Sequence, residues 1–183
     1  MTETRSHLRF LLNDSEVVLD SVSATRTLLD FLRLDRGLKG SKEGCAEGDC
    51  GACTVLVGEL AGGGVAWRAV NACIQFLPIL HGRALMTVES LSRGGAPTPL
   101  QAAMAANGAS QCGFCTPGFV MSLYALWMRS PRPTDEAIEK ALQGNLCRCT
   151  GYESIVRAAR AVSDYGKAAK DPLAVERKQI AAR

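Results

Sequence analysis

Large aromatic side chains are scarce in this sequence: phenylalanine, tyrosine and tryptophan together make up 5% of 183 residues, so few bulky groups are on hand to fill a core. Histidine occurs twice, as His7 and His81. Neither sits near a paired carboxylate or in a Gly-x-Ser-x-Gly context, so both read as surface or structural residues. No sign of charge is in excess: 21 Lys and Arg face 18 Asp and Glu, a formal net charge of +3. The positive charges are scattered, which argues against a nucleic-acid partner. Long apolar runs are missing too. The greasiest stretch, Phe119 to Met128, is about half of the roughly twenty residues a bilayer span needs, so no membrane association is expected. The opening MTETRSHLRFLLND has no apolar segment followed by a small-residue cleavage site, which predicts a cytoplasmic protein. Glycine is plentiful, yet neither a Gly-x-Gly-x-x-Gly fingerprint nor a Gly-Lys-Ser/Thr phosphate loop is present.

What remains is a foldable chain, 47% apolar and 21% charged, carrying eight cysteines. In a reducing compartment clustered cysteines point to metal ligands sooner than to disulfides. Nothing in the sequence supplies a general base, a nucleophile or a substrate pocket, so the chain alone is not expected to transform an organic substrate.

Two patterns divide the chain. Residues 7–12 and 16–20 alternate around Asn13-Asp14 as a hairpin. Residues 27–34 have helical apolar spacing, with Thr25 or Thr27 as cap. Residues 53–57 and 65–70 form a second strand pair about the Gly62–Gly64 run, followed by a short helical turn near 75–80 and a strand over 85–88. The segment SLSRGGAPT, residues 90–98, is the best domain boundary. Beyond it four helices are expected, over 100–106, 117–129, 134–142 and 153–165. Phe119, Leu123, Tyr124, Leu126 and Trp127 recur at helical spacing as core. From residue 167 the chain is charged and broken by Pro172, which suggests a linker or tail. Each half is small enough that a core alone supplies only a few kcal/mol, and a metal staple in each would compensate.

The cysteines fall into two sets. Cys45, Cys50, Cys53 and Cys73 have the C-x4-C-x2-C…C spacing of a plant-type [2Fe–2S] site. Their loop, KEGCAEGDCGACTV, is rich in glycine and alanine, so backbone N–H groups can crowd around an anionic cluster. A zinc site or free thiols are the bland alternative, but zinc makes no demand for so glycine-rich a wrap. Cys112, Cys115, Cys147 and Cys149 lie in QCGFCTPG and GNLCRCTG, each pair just before an expected helix whose N-terminus favours negative charge. On spacing alone zinc rivals an iron–sulfur cluster here. A thioredoxin-like pair would need a βαβ context that is absent.

The ordered motifs GCAEGDCGACTV, Cys73, QCGFCTPGF and GNLCRCTGY resemble the two-cluster iron–sulfur subunit or domain of the molybdenum hydroxylases, the xanthine dehydrogenase/aldehyde oxidoreductase group, over about residues 5–165. The resemblance implies an α+β fold: a ferredoxin-like (β-grasp) domain over 5–90, a four-helix-bundle domain over 98–165, and a linker or tail over 166–183. Each domain would hold one [2Fe–2S] cluster on its four cysteines. Gln111 and Cys149 would face the molybdopterin of a large partner subunit, with Cys149 the electron entry point. The first cluster would face FAD on another subunit or a fused domain, so a hetero-oligomer is expected. The EGDCGAC form, the NACIQFLPILHG stretch and the tail look most like bacterial xanthine dehydrogenase. That implies relay of electrons from the molybdopterin site to FAD in xanthine or hypoxanthine oxidation. Aldehyde, carbon monoxide and N-heterocycle oxidoreductases share this wiring and remain alternatives. A zinc-stabilised interaction module is the alternative of another class.

Overall fold

The computed structural model describes residues 7–62, 64–92 and 95–166. Strands β1 (Leu8–Leu12) and β2 (Ser15–Leu19) form an antiparallel hairpin. It turns at Asn13, whose backbone is left-handed with φ 56°. The Asn13 side chain accepts the Thr87 N–H at 2.9 Å and so ties this turn to a strand far along the chain.

Thr27 caps the next segment by accepting the Asp30 N–H at 3.1 Å. One α-helical turn follows (α1, Leu28–Asp30), and the chain then continues as a π-helix over Phe31–Asp35 in place of the single α-helix expected over 27–34. Tertiary bonds explain the departure: Leu28 N–H donates to Gln75 O at 2.8 Å and Leu29 N–H to Ala72 O at 3.0 Å. With its start pinned, the segment widens so that Leu28, Leu29, Phe31 and Leu32 are all buried.

Strands β3 (Thr54–Ala61) and β4 (Gly64–Asn71) pair antiparallel about the glycine run and extend further than the sequence pattern suggests. After a 3-10 turn (Leu77–Leu80), β5 (Ala84–Met86) inserts between β1 and β3, parallel to the first and antiparallel to the second. The sheet order is β2-β1-β5-β3-β4, the ferredoxin-like β-grasp arrangement.

A second 3-10 turn (Val88–Ser90) leads to α2 (Pro99–Ala106), α3 (Thr116–Arg129), α4 (Asp135–Leu142) and α5 (Glu153–Tyr165), each within a residue of its expected bounds. Thr98 and Gln101 form a capping box at α2, and Thr134 caps α4. Helix α3 is buried from Gly118 to Trp127, including the five residues expected as core. No helix among the described residues is long and apolar enough to cross a membrane. The charged tail lies outside the described residues from residue 167 on.

Two buried clusters pack on the two faces of the sheet, and the second of them joins both halves of the chain. The first face of the sheet packs Phe10, Val55, Val57 and Leu85 against Leu28, Phe31 and Leu32. Its second face joins the helices: Leu56, Trp67, Ala84 and Met86 share one core with Phe119, Leu123, Tyr124, Ile155 and Val162. Alternation along β3 sends Val55 and Val57 one way and Leu56 the other, so this strand is buried on both sides.

Candidate metal centres

The first cysteine loop is shaped by its backbone. Ala46, Gly48 and Gly51 have φ of 58°, 85° and 68°, a conformation that turns successive N–H groups inward. The Cys45 Sγ accepts the Asp49 N–H at 3.3 Å and the Cys50 N–H at 3.4 Å. Backbone donation from Cys50, then from Glu47 and Asp49, lowers the Cys45 thiol to about 6, so it is a thiolate at neutral pH. Gly44 has no room for a side chain, since a Cβ there would lie 2.9 Å from the Cys50 Sγ. Cys53 is buried at the foot of β3 and Cys73 follows β4. Burial and the adjacent Cys53 push the Cys73 thiol up to about 11.

In the second set, Cys115 stands at the N-cap of α3, while Cys147 and Cys149 precede the turn into α5. The Cys149 Sγ lies 3.7 Å from the Cys112 Sγ, and that neighbour raises the Cys149 thiol. Burial and then Cys147 push Cys115 up to about 12. Burial also acts upward on Cys147, but donation from the Thr150 hydroxyl and N–H, from the Cys149 backbone and from Cys115 together outweighs it and the thiol is lowered.

Within each set the cysteines feel one another: Cys45 adjoins Cys50 and Cys73 adjoins Cys53, Cys112 lies against Cys149, and Cys115 adjoins Cys147, with further charge coupling from Cys45 to Cys73 and from Cys112 to Cys115. Among the described residues no three His, Cys, Asp or Glu side chains converge to hold a single metal ion. Tetrahedral zinc wants its donors around one point, whereas a two-iron cluster spreads four thiolates over two metals. This donor chemistry fits two [2Fe–2S] clusters.

The two loops are stitched together. Leu146, next to Cys147, donates its N–H to the Cys50 carbonyl at 2.9 Å. Asn145 is buried, with its Nδ2 3.1 Å from the Gly51 carbonyl and 3.4 Å from the Thr54 hydroxyl. Its Oδ1 accepts the Ser122 hydroxyl of α3 at 2.7 Å. Gly118 in α3 allows this closeness, because a Cβ there would overlap the Gly51 carbonyl.

Gln111, Cys112 and Cys149 are exposed, with Gln111 adjacent in the chain to Cys112. His81 accepts the Arg9 N–H at 3.4 Å through Nδ1, and its ring centroid lies 6.5 Å from that of His7. Asn145, Ser122, Thr150 and Tyr152 escaped the sequence reading. The only signal for them is polar residues beside cysteines in GNLCRCTGY, and a lone serine within the apolar run of α3.

Comparison with known proteins agrees with this geometry. Residues 10–74 match the model of a 2Fe-2S iron-sulfur cluster binding domain, and residues 87–160 match that of a [2Fe-2S] binding domain. A xanthine dehydrogenase of Emericella nidulans is 48% identical over 155 residues, 84% of this chain and 11% of that protein. The chain thus spans about a tenth of the length of the curated relatives it matches. In the crystal structure of quinoline 2-oxidoreductase from Pseudomonas putida 86, a chain 32% identical superposes with a TM-score of 0.73, covering 86% of this chain and 96% of that one. The aldehyde oxidoreductase from Desulfovibrio gigas, 34% identical, gives a TM-score of 0.76 over 90% of this chain and 18% of that one. With two [2Fe–2S] domains in this order, the chain belongs to the iron–sulfur subunits and domains of the molybdenum hydroxylase (xanthine dehydrogenase/aldehyde oxidoreductase) family.

Proposed function

We propose that this chain is the electron-transfer component of a molybdenum hydroxylase, with a ferredoxin-like domain over 5–90 and a helical domain over 98–165. Cys45, Cys50, Cys53 and Cys73 are assigned to one cluster, and Cys112, Cys115, Cys147 and Cys149 to the other. Bound [2Fe–2S] clusters supply one-electron redox capacity, here between a molybdopterin on a large partner subunit and FAD on another subunit or fused domain. The complex would work in the cytoplasm.

The stitched seam carries this reading. From Cys50 to Cys147 the path is one hydrogen bond and one peptide unit, through Leu146. Asn145 and Gly118 hold the two loops at this separation by contacts on both sides. Electron transfer falls steeply with distance, so a fixed short spacing is the property a relay needs from its protein. The backbone N–H groups around Cys45 and the donors on Cys147 stabilise thiolate charge at each end. Exposed Gln111 and Cys149 would face the molybdopterin.

Oxidation of xanthine or hypoxanthine is the favoured overall reaction, supported by the 48% identical relative. A second reading, a small subunit of an N-heterocycle oxidoreductase, is favoured by the near-full coverage of the quinoline 2-oxidoreductase chain. Anaerobic isolation with partners tests both. About four irons and four sulfides per chain with two distinct EPR signals after dithionite are expected, from two [2Fe–2S] centres. A colourless zinc protein would overturn the relay, and a complex oxidising quinoline but not xanthine would move the substrate.

A further inference from the structure

The two cysteine sets differ in how their sulfurs are solvated. The hydrogen bonds on Cys45 come from the backbone of Asp49 and Cys50, which no substitution removes cleanly. Cys147 is treated otherwise. Its Sγ accepts the Thr150 hydroxyl at 3.1 Å and the Thr150 N–H at 3.4 Å. The hydroxyl is oriented as well as near, because its oxygen accepts the Tyr152 N–H at 3.3 Å, which leaves the O–H hydrogen for the sulfur.

That orientation is held from several sides. Tyr152 is a non-glycine residue with φ 68°, a conformation retained only where the surroundings enforce it. Its hydroxyl accepts the Cys147 N–H at 2.9 Å. Its ring packs edge-on against Phe119, with centroids 6.1 Å apart, on the helix that starts at Cys115. Its carbonyl accepts the N–H groups of Ile155 and Val156 and starts α5. The turn from Cys147 to Tyr152 is thus closed on itself, and the Thr150 hydroxyl donates to the sulfur of the second set that adjoins the seam.

We propose that Thr150 sets the reduction potential of the second cluster by donating its hydroxyl hydrogen to the Cys147 sulfur. This rests on the two-cluster reading above. A donor to a cysteine sulfur stabilises the cluster more after it gains an electron, when its negative charge is larger, and so raises the potential. Thr150 acts through Cys147 as a positioning residue.

The test is Thr150→Val in the full chain with its partners, compared with Thr150→Ser and the unsubstituted protein by EPR-monitored redox titration. Thr150→Val should keep both clusters while the equilibrium for reducing the second falls at least threefold, about 28 mV for a one-electron couple. The first cluster should be unmoved, and Thr150→Ser should restore the second. If the valine variant fails to load, Thr150→Ala, which removes the hydroxyl without a methyl group in its place, carries the same expectation. A change smaller than threefold, a rise, or an equal shift in both clusters overturns the proposal. Unsubstituted protein that holds fewer than two clusters overturns the underlying reading instead.

Discussion

Asn145→Ala should separate the two cysteine loops at a cost that the structure allows to be worked out. The side chain is buried and engages the Ser122 hydroxyl at 2.7 Å, the Gly51 carbonyl at 3.1 Å and the Thr54 hydroxyl at 3.4 Å. Each such bond contributes about 0.5–1.5 kcal/mol net, and a buried polar group left unpaired costs about 1–3 kcal/mol. The Gly51 carbonyl is not orphaned, since the Thr54 hydroxyl still donates to it at 2.7 Å. Ser122 is the group left in difficulty, and a helical serine can relieve itself by bonding back to a carbonyl one turn earlier. Those terms sum to about 3 kcal/mol, and at about 2–4 °C per kcal/mol for a chain of this size the melting temperature should fall by about 6–12 °C. Heating scans at one fixed rate, following helicity and the visible absorption of the clusters together, would read this out. Adding Ser122→Ala to the alanine variant should cost less than it does alone, with a coupling of about 1 kcal/mol, because the two side chains are partners. Melting of Asn145→Ala within 2 °C of the unsubstituted protein would refute the idea that this residue binds the loops together.

Other expectations follow from the same sites. Gly118→Ala places a methyl group against the Gly51 carbonyl and should lower the melting temperature, whereas Gly144→Ala, with open space around it, should leave it unchanged. Cys147→Ala should lose the second cluster and lower the melting temperature of the holoprotein, because metal binding and folding are coupled. Unchanged melting with full iron content would count against that. In the iron-free chain, a thiol-alkylating reagent at pH 7 should label Cys45 first and Cys73 and Cys115 last, following their thiols at about 6, 11 and 12. Peptide mass spectrometry would show the order. The stability linkage has opposite signs at the two extremes. Cys45 is depressed below an unfolded value of about 8.5, so its contribution is complete above that pH and lost as pH falls through 6. Cys73 and Cys115 are raised, so theirs is complete below about 8.5 and lost as pH climbs toward 11 and 12.

Much of this molecule is legible in its sequence for reasons that are local. Thr134 announces its helix because the capping hydrogen bond reaches only three residues, to Ala137. The cysteine sets are legible because their spacing is written in the loops. The π-helical Phe31–Asp35 is not, since the bonds that pin its start come from Ala72 and Gln75. Asn145 was invisible for the same reason, its partners on Gly51 and Thr54 being 94 and 91 residues earlier. The shared core was hidden by ambiguity of another kind. Residues 55–57 of β3, VLV, are apolar without a break, and such a run fits burial on both faces without saying what covers the second.

The shared core changes what joins the two halves. With Leu56 and Trp67 packed among the helices, side-chain packing and Asn145 hold the cysteine loops relative to one another. Within that frame the second set divides by depth. Cys112 and Cys149 are exposed, next to Gln111, while Cys115 and Cys147 are partly buried, and Cys147 is joined to Cys50 through Leu146. If the cysteines hold the clusters as proposed, one side of the second cluster is open at the surface and its other side adjoins the first cysteine loop. The protein that holds it is close-packed and resists adjustment of that distance. A surface loop held only by a metal would satisfy the ligand spacing equally well, yet it would let the separation drift. Burial of β3 on both faces adds to the seam at Asn145 and Leu146 in fixing that separation.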